Sequence, residues 1–380
     1  MKSIITIFII TCIFTTAFVL NKTECNTKIN LRFNLAYKED SIDKQKKGLL
    51  WALSFLGAEL PKGTFERSLI KKDSTIFELD VTKVGFNKNA INALSTIIEN
   101  LKESVEYKQK KGIDLGEFII YTLGSSWHYY EITGVCKTIN EFKQKHNFNN
   151  AVVFPVTNSS VAKGHRLIEI TNTNEINKIA FLAHEGTGEI NNNTFNSETT
   201  ETVDIMKNGQ QRFAIYNKEG NLIASSERKF GEAGKPIKCL WCHEIYIQPL
   251  YLKNEITKGY ISPLEFDSIV NSKMDYITSY RNKLKTDLNY SKKQEHTLME
   301  LLYITYMEPS KLKLENEWGI NPFNLETLFI FNKTHQHKEF KYLENLRYRN
   351  EIKTNSPYES ILLPDSVRDE NIHEPNLFKK

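Results

Sequence analysis

The 380-residue chain is 40% apolar and 11% aromatic, enough to bury substantial cores, which excludes global disorder. Its 50 basic and 46 acidic residues are mixed along the length for a net charge of +4, so the sequence carries no basic stripe of the kind that binds nucleic acid. Five cysteines are too few for a disulfide scaffold, and about 150 residues per domain predicts two or three domains.

At the amino end, Met1-Lys2-Ser3 precedes the apolar run "IITIFIITCIFTTAFVL", which closes at Leu20 before the polar "NKTECNTK". An early lysine followed by an apolar run of this length has the form of an export signal. A spanning helix needs about 20 apolar residues, so the run also approaches the length of an uncleaved anchor. Residues 1–20 are therefore expected to be a signal peptide or N-terminal anchor. The expected location is the periplasm or cell envelope, with membrane association through this segment.

Residues 21–148 read as mainly helical. "GLLWALSFLGAEL" has helical apolar spacing and is stopped by Pro61 and Gly63. A longer helix behind Asn87 carries Ile91, Leu94, Ile97, Ile98 and Leu101 on one face, and Gly112 ends it. Asp114 and Thr138 are the expected caps of two further helices. From 149 to 230 the pattern changes to short runs rich in β-branched and aromatic residues: "AVVFPV", "HRLIEIT", "KIAFLAH", "TVDIM", "QRFAIY" and "NLIASS". These predict a central antiparallel sheet, with "EINNNTFNSETTE" as a polar loop and a hairpin turn at Gly220 and Asn221. Residues 231–380 turn helical again. Ser262-Pro263-Leu264-Glu265 is a capping box with proline at the first helical position, and Ser291-Lys292-Lys293-Gln294 is a second box opening a helix to about Met307. Further helices are expected over 310–318, 323–333 and 339–349. The fold class is α+β: a helical N-terminal region, a central antiparallel sheet and a helical C-terminal region.

The most informative stretch is "GKPIKCLWCHE", residues 234–244. Two cysteines stand three apart, with histidine directly after the second. Cys239-Leu240-Trp241-Cys242-His243 resembles the haem-attachment motif of c-type cytochromes. The resemblance implies a reason for the spacing: from one turn of chain, two thiols reach the two vinyl groups of a porphyrin and the next imidazole reaches the iron. The resemblance covers these five residues and implies one covalent haem c, held by Cys239 and Cys242, with His243 as iron ligand and Trp241 shielding the porphyrin edge. It implies electron transfer, or redox or ligand sensing, with a redox partner protein in the cell envelope, rather than a catalyst with its own substrate. Attachment of this kind belongs outside the cytoplasm, in agreement with the amino-terminal run.

Three other readings compete with it. A redox dithiol belongs in a βαβ unit, which does not surround this pair; a zinc site needs further ligands, and no second CxxC exists. An oxidised pair would leave an envelope binding or structural protein. For the opposite face of a haem iron, His or Met is the expected ligand in electron transfer. A helix from Ser291 to Met307 would align His296, Met299, Tyr303 and Met307 on one stripe. Met307, two residues before Pro309, resembles the Met-near-Pro distal loop of small cytochromes, and His296 is the second candidate.

Overall fold

The computed structural model describes residues 26–227, 229, 234–248, 255–330, 332–358, 363–364 and 374–379. The expected signal or anchor at 1–20 lies outside them. Among the described residues, no helix is long and apolar enough to cross a membrane.

The first part of the chain is not helical alone: it carries a small sheet. Strands β1 (Lys28–Arg32), β2 (Leu69–Lys71), β3 (Ile76–Asp80) and β4 (Ile113–Asp114) are ordered β2-β3-β1-β4, with β4 parallel to β1 and the other pairings antiparallel. These strands are two to five residues long, too short for a clear alternating pattern. Around them run α1 (Ile42–Phe55), α2 (Thr64–Ser68), α3 (Lys88–Glu103), α4 (Val105–Lys110), α5 (Leu115–Ile119), α6 (Ser126–Thr133) and α7 (Ile139–His146). A π-helical turn over Ile120–Gly124 joins α5 to α6. The expected caps Asp114 and Thr138 form, accepting the Gly116 and Glu141 N–H groups, and Asn87 caps α3 by accepting the Ala90 N–H at 3.0 Å.

The central sheet follows the predicted runs closely. Strands β5 (Val152–Val156), β6 (Arg166–Ile170), β7 (Ala180–Thr187), β8 (Asn196–Ile205), β9 (Gln211–Asn217) and β10 (Leu222–Ile223) form an antiparallel meander in chain order. One expectation fails: residues 196–201, read as loop, are the outer half of β8, because β7 pairs with this polar stretch and β9 joins it from Thr199 onward. The β7–β8 register shifts between Glu185 and Gly186. A Cβ at Gly186 would lie 1.9 Å from the Asn196 carbonyl oxygen, so this joint needs glycine.

The rest of the chain supplies α8 (Pro236–His243), α9 (Pro263–Lys283), α10 (Thr297–Met307), α11 (Lys311–Trp318), α12 (Pro322–Leu328) and α13 (Arg349–Ile352). Ser262 caps α9 as predicted, accepting the Glu265 N–H at 3.2 Å. The second box does not form. Asn289 takes the Ser291 N–H at 3.0 Å and opens a 3-10 turn, Lys292 leaves helical geometry, and the α-helix starts at Thr297. The helix expected at 339–349 is instead a 3-10 turn at Lys341–Leu343 and the short α13. One apolar cluster draws on all three segments of the chain, including Leu94, Ile98, Phe213, Leu240 and Tyr303, and a second joins Phe154, Phe181 and Phe266.

Candidate functional site

Proline at its first position and Gly234 in the left-handed region before it fix where α8 starts. The helix packs on β9 and α6. Cys239 and His243 stand four residues apart, hence on one helix face, and both line a cavity between α8 and the central sheet.

Strand alternation supplies the opposite wall. Register pairs Arg166 with Glu185, Ile168 with Ala183, Ala183 with Glu201, and Val203 with Phe213, so these residues share one sheet face. Arg166, Ile168, Phe181, Glu201 and Phe213 line the cavity from the sheet, and Phe266 and Val270 of α9 with Ile247 close the side. Its interior gives a water-sized sphere about 90 Å³, below the range of about 300–1,000 Å³ usual for ligand pockets, so a flat ring would enter only with the walls moved apart.

His243 is held from behind. Its Nδ1 lies 3.3 Å from the Tyr246 carbonyl oxygen and 3.4 Å from the Gln248 N–H, and no described residue bonds Nε2. Burial lowers its pKa to about 4, against the pull of the Tyr246 carbonyl, so the imidazole is neutral at physiological pH. The Phe213 ring flanks it at 5.4 Å.

Cys239 is buried, Cys242 is half-buried, and both thiols are free. Burial, and after it the Glu201 carboxylate, push the Cys239 thiol well above its ordinary range. Redox dithiols depend on a lowered thiol pKa, so this environment does not favour dithiol exchange. Among the described residues no group of three or more His, Cys, Asp and Glu is arranged to hold a metal ion, which leaves the zinc reading without a ligand set.

A buried charge cluster forms the polar end. Arg166 Nη2 lies 3.0 Å from both Glu185 Oε1 and Glu201 Oε2. Burial, and then the Glu201 charge, raise the Glu185 pKa to about 8, while burial also raises Glu201. At neutral pH Glu185 holds a proton and the cluster is close to charge-balanced.

The other predicted site residues lie elsewhere. Trp241 follows Cys239 by two positions, about 200° around the helix, and does not line the cavity. Its ring meets Tyr303 of α10 edge-on at 4.9 Å, so it packs the back of α8 instead of shielding a ligand. Met307 is half-buried against the main core, away from the cavity lining. His296 is buried with both ring nitrogens near oxygen atoms: Nδ1 is 2.6 Å from the Lys293 carbonyl and Nε2 is 3.2 Å from Glu300. Burial opposes its charge, but Glu300 and that carbonyl keep its pKa above the ordinary value. An imidazole held this way is a poor iron ligand. The 3-10 turn over Tyr290–His296 also removes the single helical stripe that was to align it with Met307.

Sequence reasoning missed Arg166, Glu185 and Glu201. Their signal was present as charged residues at alternate strand positions shared with Ile168, Ala183 and Val203. No protein-family profile, curated protein or solved structure matches this chain.

Proposed function

We propose that this is an exported monohaem c-type protein, in which Cys239 and Cys242 carry one haem covalently and His243 binds its iron. The observation that carries the reading is that Cys239 and His243 open side by side into one largely apolar cavity, with the two sulfurs not joined to each other. When bound, the haem supplies an iron that exchanges one electron or takes a small ligand on its open face.

Cys239 and His243 face the cavity, whereas Cys242 is half-buried off its lining, so holding the group would need the cavity to widen and Cys242 to turn toward it. Cys239 and Cys242 would hold the haem through thioether bonds to its two vinyl groups. The neutral His243 offers a lone pair without first losing a proton, and a partner on the other ring nitrogen is the usual way a metal-bound histidine is oriented. Phe181, Phe213, Phe266 and Val270 keep water from a flat apolar ring. Among the described lining residues Arg166 is the one arginine or lysine, and its guanidinium is already paired with Glu185 and Glu201.

Among the described residues, neither methionine nor a second histidine lines the cavity. We therefore favour redox or ligand sensing over electron transfer, with a protein partner in the cell envelope reading the state of the site.

The full chain made together with haem-attachment machinery tests this. The expected result is a pyridine haemochrome spectrum and a mass increase of one haem, both lost in the Cys239→Ala/Cys242→Ala double variant. A matured protein without that absorbance, and lighter by two hydrogens at the CxxC pair, would transfer the assignment to a disulfide-bearing envelope protein.

A further inference from the structure

A second cavity lies where α10 meets the chain between β1 and α1, and it shares no lining residue with the cavity at Cys239 and His243. One wall is the face of α10 that carries Leu298, Leu301, Leu302 and Thr305, spaced so that a single helix side presents all four. The Thr305 hydroxyl donates back to the Leu301 carbonyl at 2.8 Å, so this wall offers no free donor. The interior gives a water-sized sphere about 60 Å³, room for about four to six waters at roughly 10–15 Å³ each.

Two buried amides, Asn34 and Gln45, also line it, and they are 8% and 5% exposed. Gln45 Nε2 donates to the Asn34 carbonyl oxygen at 2.6 Å, and Asn34 Nδ2 faces Asp114 Oδ2 and the Lys313 carbonyl oxygen, both at 3.4 Å. Each amide nitrogen points at acceptors, which fixes both side-chain orientations. Asn34 Oδ1 and Gln45 Oε1 are then left without a hydrogen-bond partner among the described residues. Buried acceptors lacking a donor are costly, so two on one small cavity call for an occupant that brings N–H or O–H groups. Waters alone match the site poorly, because each needs about two to four polar partners and α10 presents leucines.

Charge points the same way. Glu39 and Asp40 lie on the lining together with Lys44 and Lys313. The Lys313 ammonium is 3.0 Å from Asp114 Oδ2, and Lys44 Nζ donates to the Glu39 carbonyl oxygen. Counting Asp114, the carboxylates of Glu39, Asp40 and Asp114 outnumber the ammoniums of Lys44 and Lys313 by one, a balance that one more cation would complete. Burial raises the Asp40 pKa, and a cation beside it would lower it again. We infer that this cavity is a binding site for a small primary ammonium on a chain of about three to five carbons. Its N–H groups meet Asn34 Oδ1, Gln45 Oε1 and Asp40, and its carbons rest on the leucines of α10.

The site uses none of the residues assigned to haem, so the full chain made without haem tests it separately from that reading. Titration calorimetry with propylammonium is expected to show one saturable site with a dissociation constant below about 5 mM, as four non-hydrogen atoms allow. Propanol, which lacks the charge, and tetramethylammonium, which lacks N–H donors, are each expected to bind more weakly by about tenfold or more. Asp40→Asn and Gln45→Met are each expected to weaken propylammonium by about fivefold or more. The exposed Glu219→Gln is expected to bind as the parent does. Absence of saturable binding overturns the proposal and assigns the cavity to water, and equal affinity for propanol or tetramethylammonium overturns it too. A folded Asp40→Asn or Gln45→Met protein that binds like the parent also overturns it. Should either variant fail to fold, the three ligands on the parent protein decide the matter.

Discussion

His243 Nδ1 sits 3.3 Å from the carbonyl oxygen of Tyr246, three residues further along the chain. The turn that ends α8 thereby braces the ring it has just delivered to the cavity wall. In the matured protein, His243→Ala is expected to keep the haem, because the two sulfurs still hold it, but to lose the axial nitrogen. A denaturing gel stained for haem checks the first part. The absorption spectrum, with recovery on adding imidazole, checks the second.

Met307 and His296 are both absent from the cavity lining. Carbon monoxide is therefore expected to bind the reduced protein, with the same spectral change in Met307→Leu and His296→Gln as in the parent. A reduced form indifferent to carbon monoxide would mean that a sixth ligand is supplied from elsewhere.

Glu185 gives a pH dependence opposite in sign to that of an ordinary salt-bridged carboxylate. Its folded-state pKa of about 8 lies above the value of roughly 4.3 in an unfolded chain. Between those values the folded state holds a proton that the unfolded state has released, so this group lowers stability as pH rises through the window. Glu185→Gln should raise the melting temperature at pH 8 by on the order of 2–4 °C and leave it unchanged at pH 4. Thermal unfolding at the two pH values measures the difference.

Arg349 of α13 and Glu317 of α11 form a two-pronged pair, with both N–O distances 2.7 Å, and the guanidinium lies 3.7 Å from the Tyr306 ring centroid. Their side chains are 11% and 2% exposed, so deleting one partner strands the other in the interior. Glu317→Leu should cost roughly 3–5 kcal/mol, and the Arg349→Met/Glu317→Leu pair should recover much of that loss. Denaturant titration of the three variants closes the cycle.

Legibility from sequence followed the range of the signals involved. The central strands and the cap at Ser262 were readable because period, β-branching and capping act within a few residues. The first sheet was not, since strands such as Ile113–Asp114 are defined by their partners rather than by their own pattern. Within the site, Cys239, Cys242 and His243 were adjacent in sequence and could be found together. Arg166, Glu185 and Glu201 meet only through cross-strand register, which no local window contains. Trp241 and His296 lie off the cavity lining, because nearness along the chain or along an assumed helix does not by itself place side chains on one wall.

The register shift at Glu185 and Gly186 decouples the cavity from the tip of its hairpin. Inward of that joint, Arg166, Glu185 and Glu201 keep their alignment through continuous pairing; outward of it, residues 188–195 answer to no side chain in the cavity wall. Additions to that tip would be absorbed before reaching the polar end of the pocket. It is the natural place to graft a fluorophore or affinity handle that leaves the pocket undisturbed.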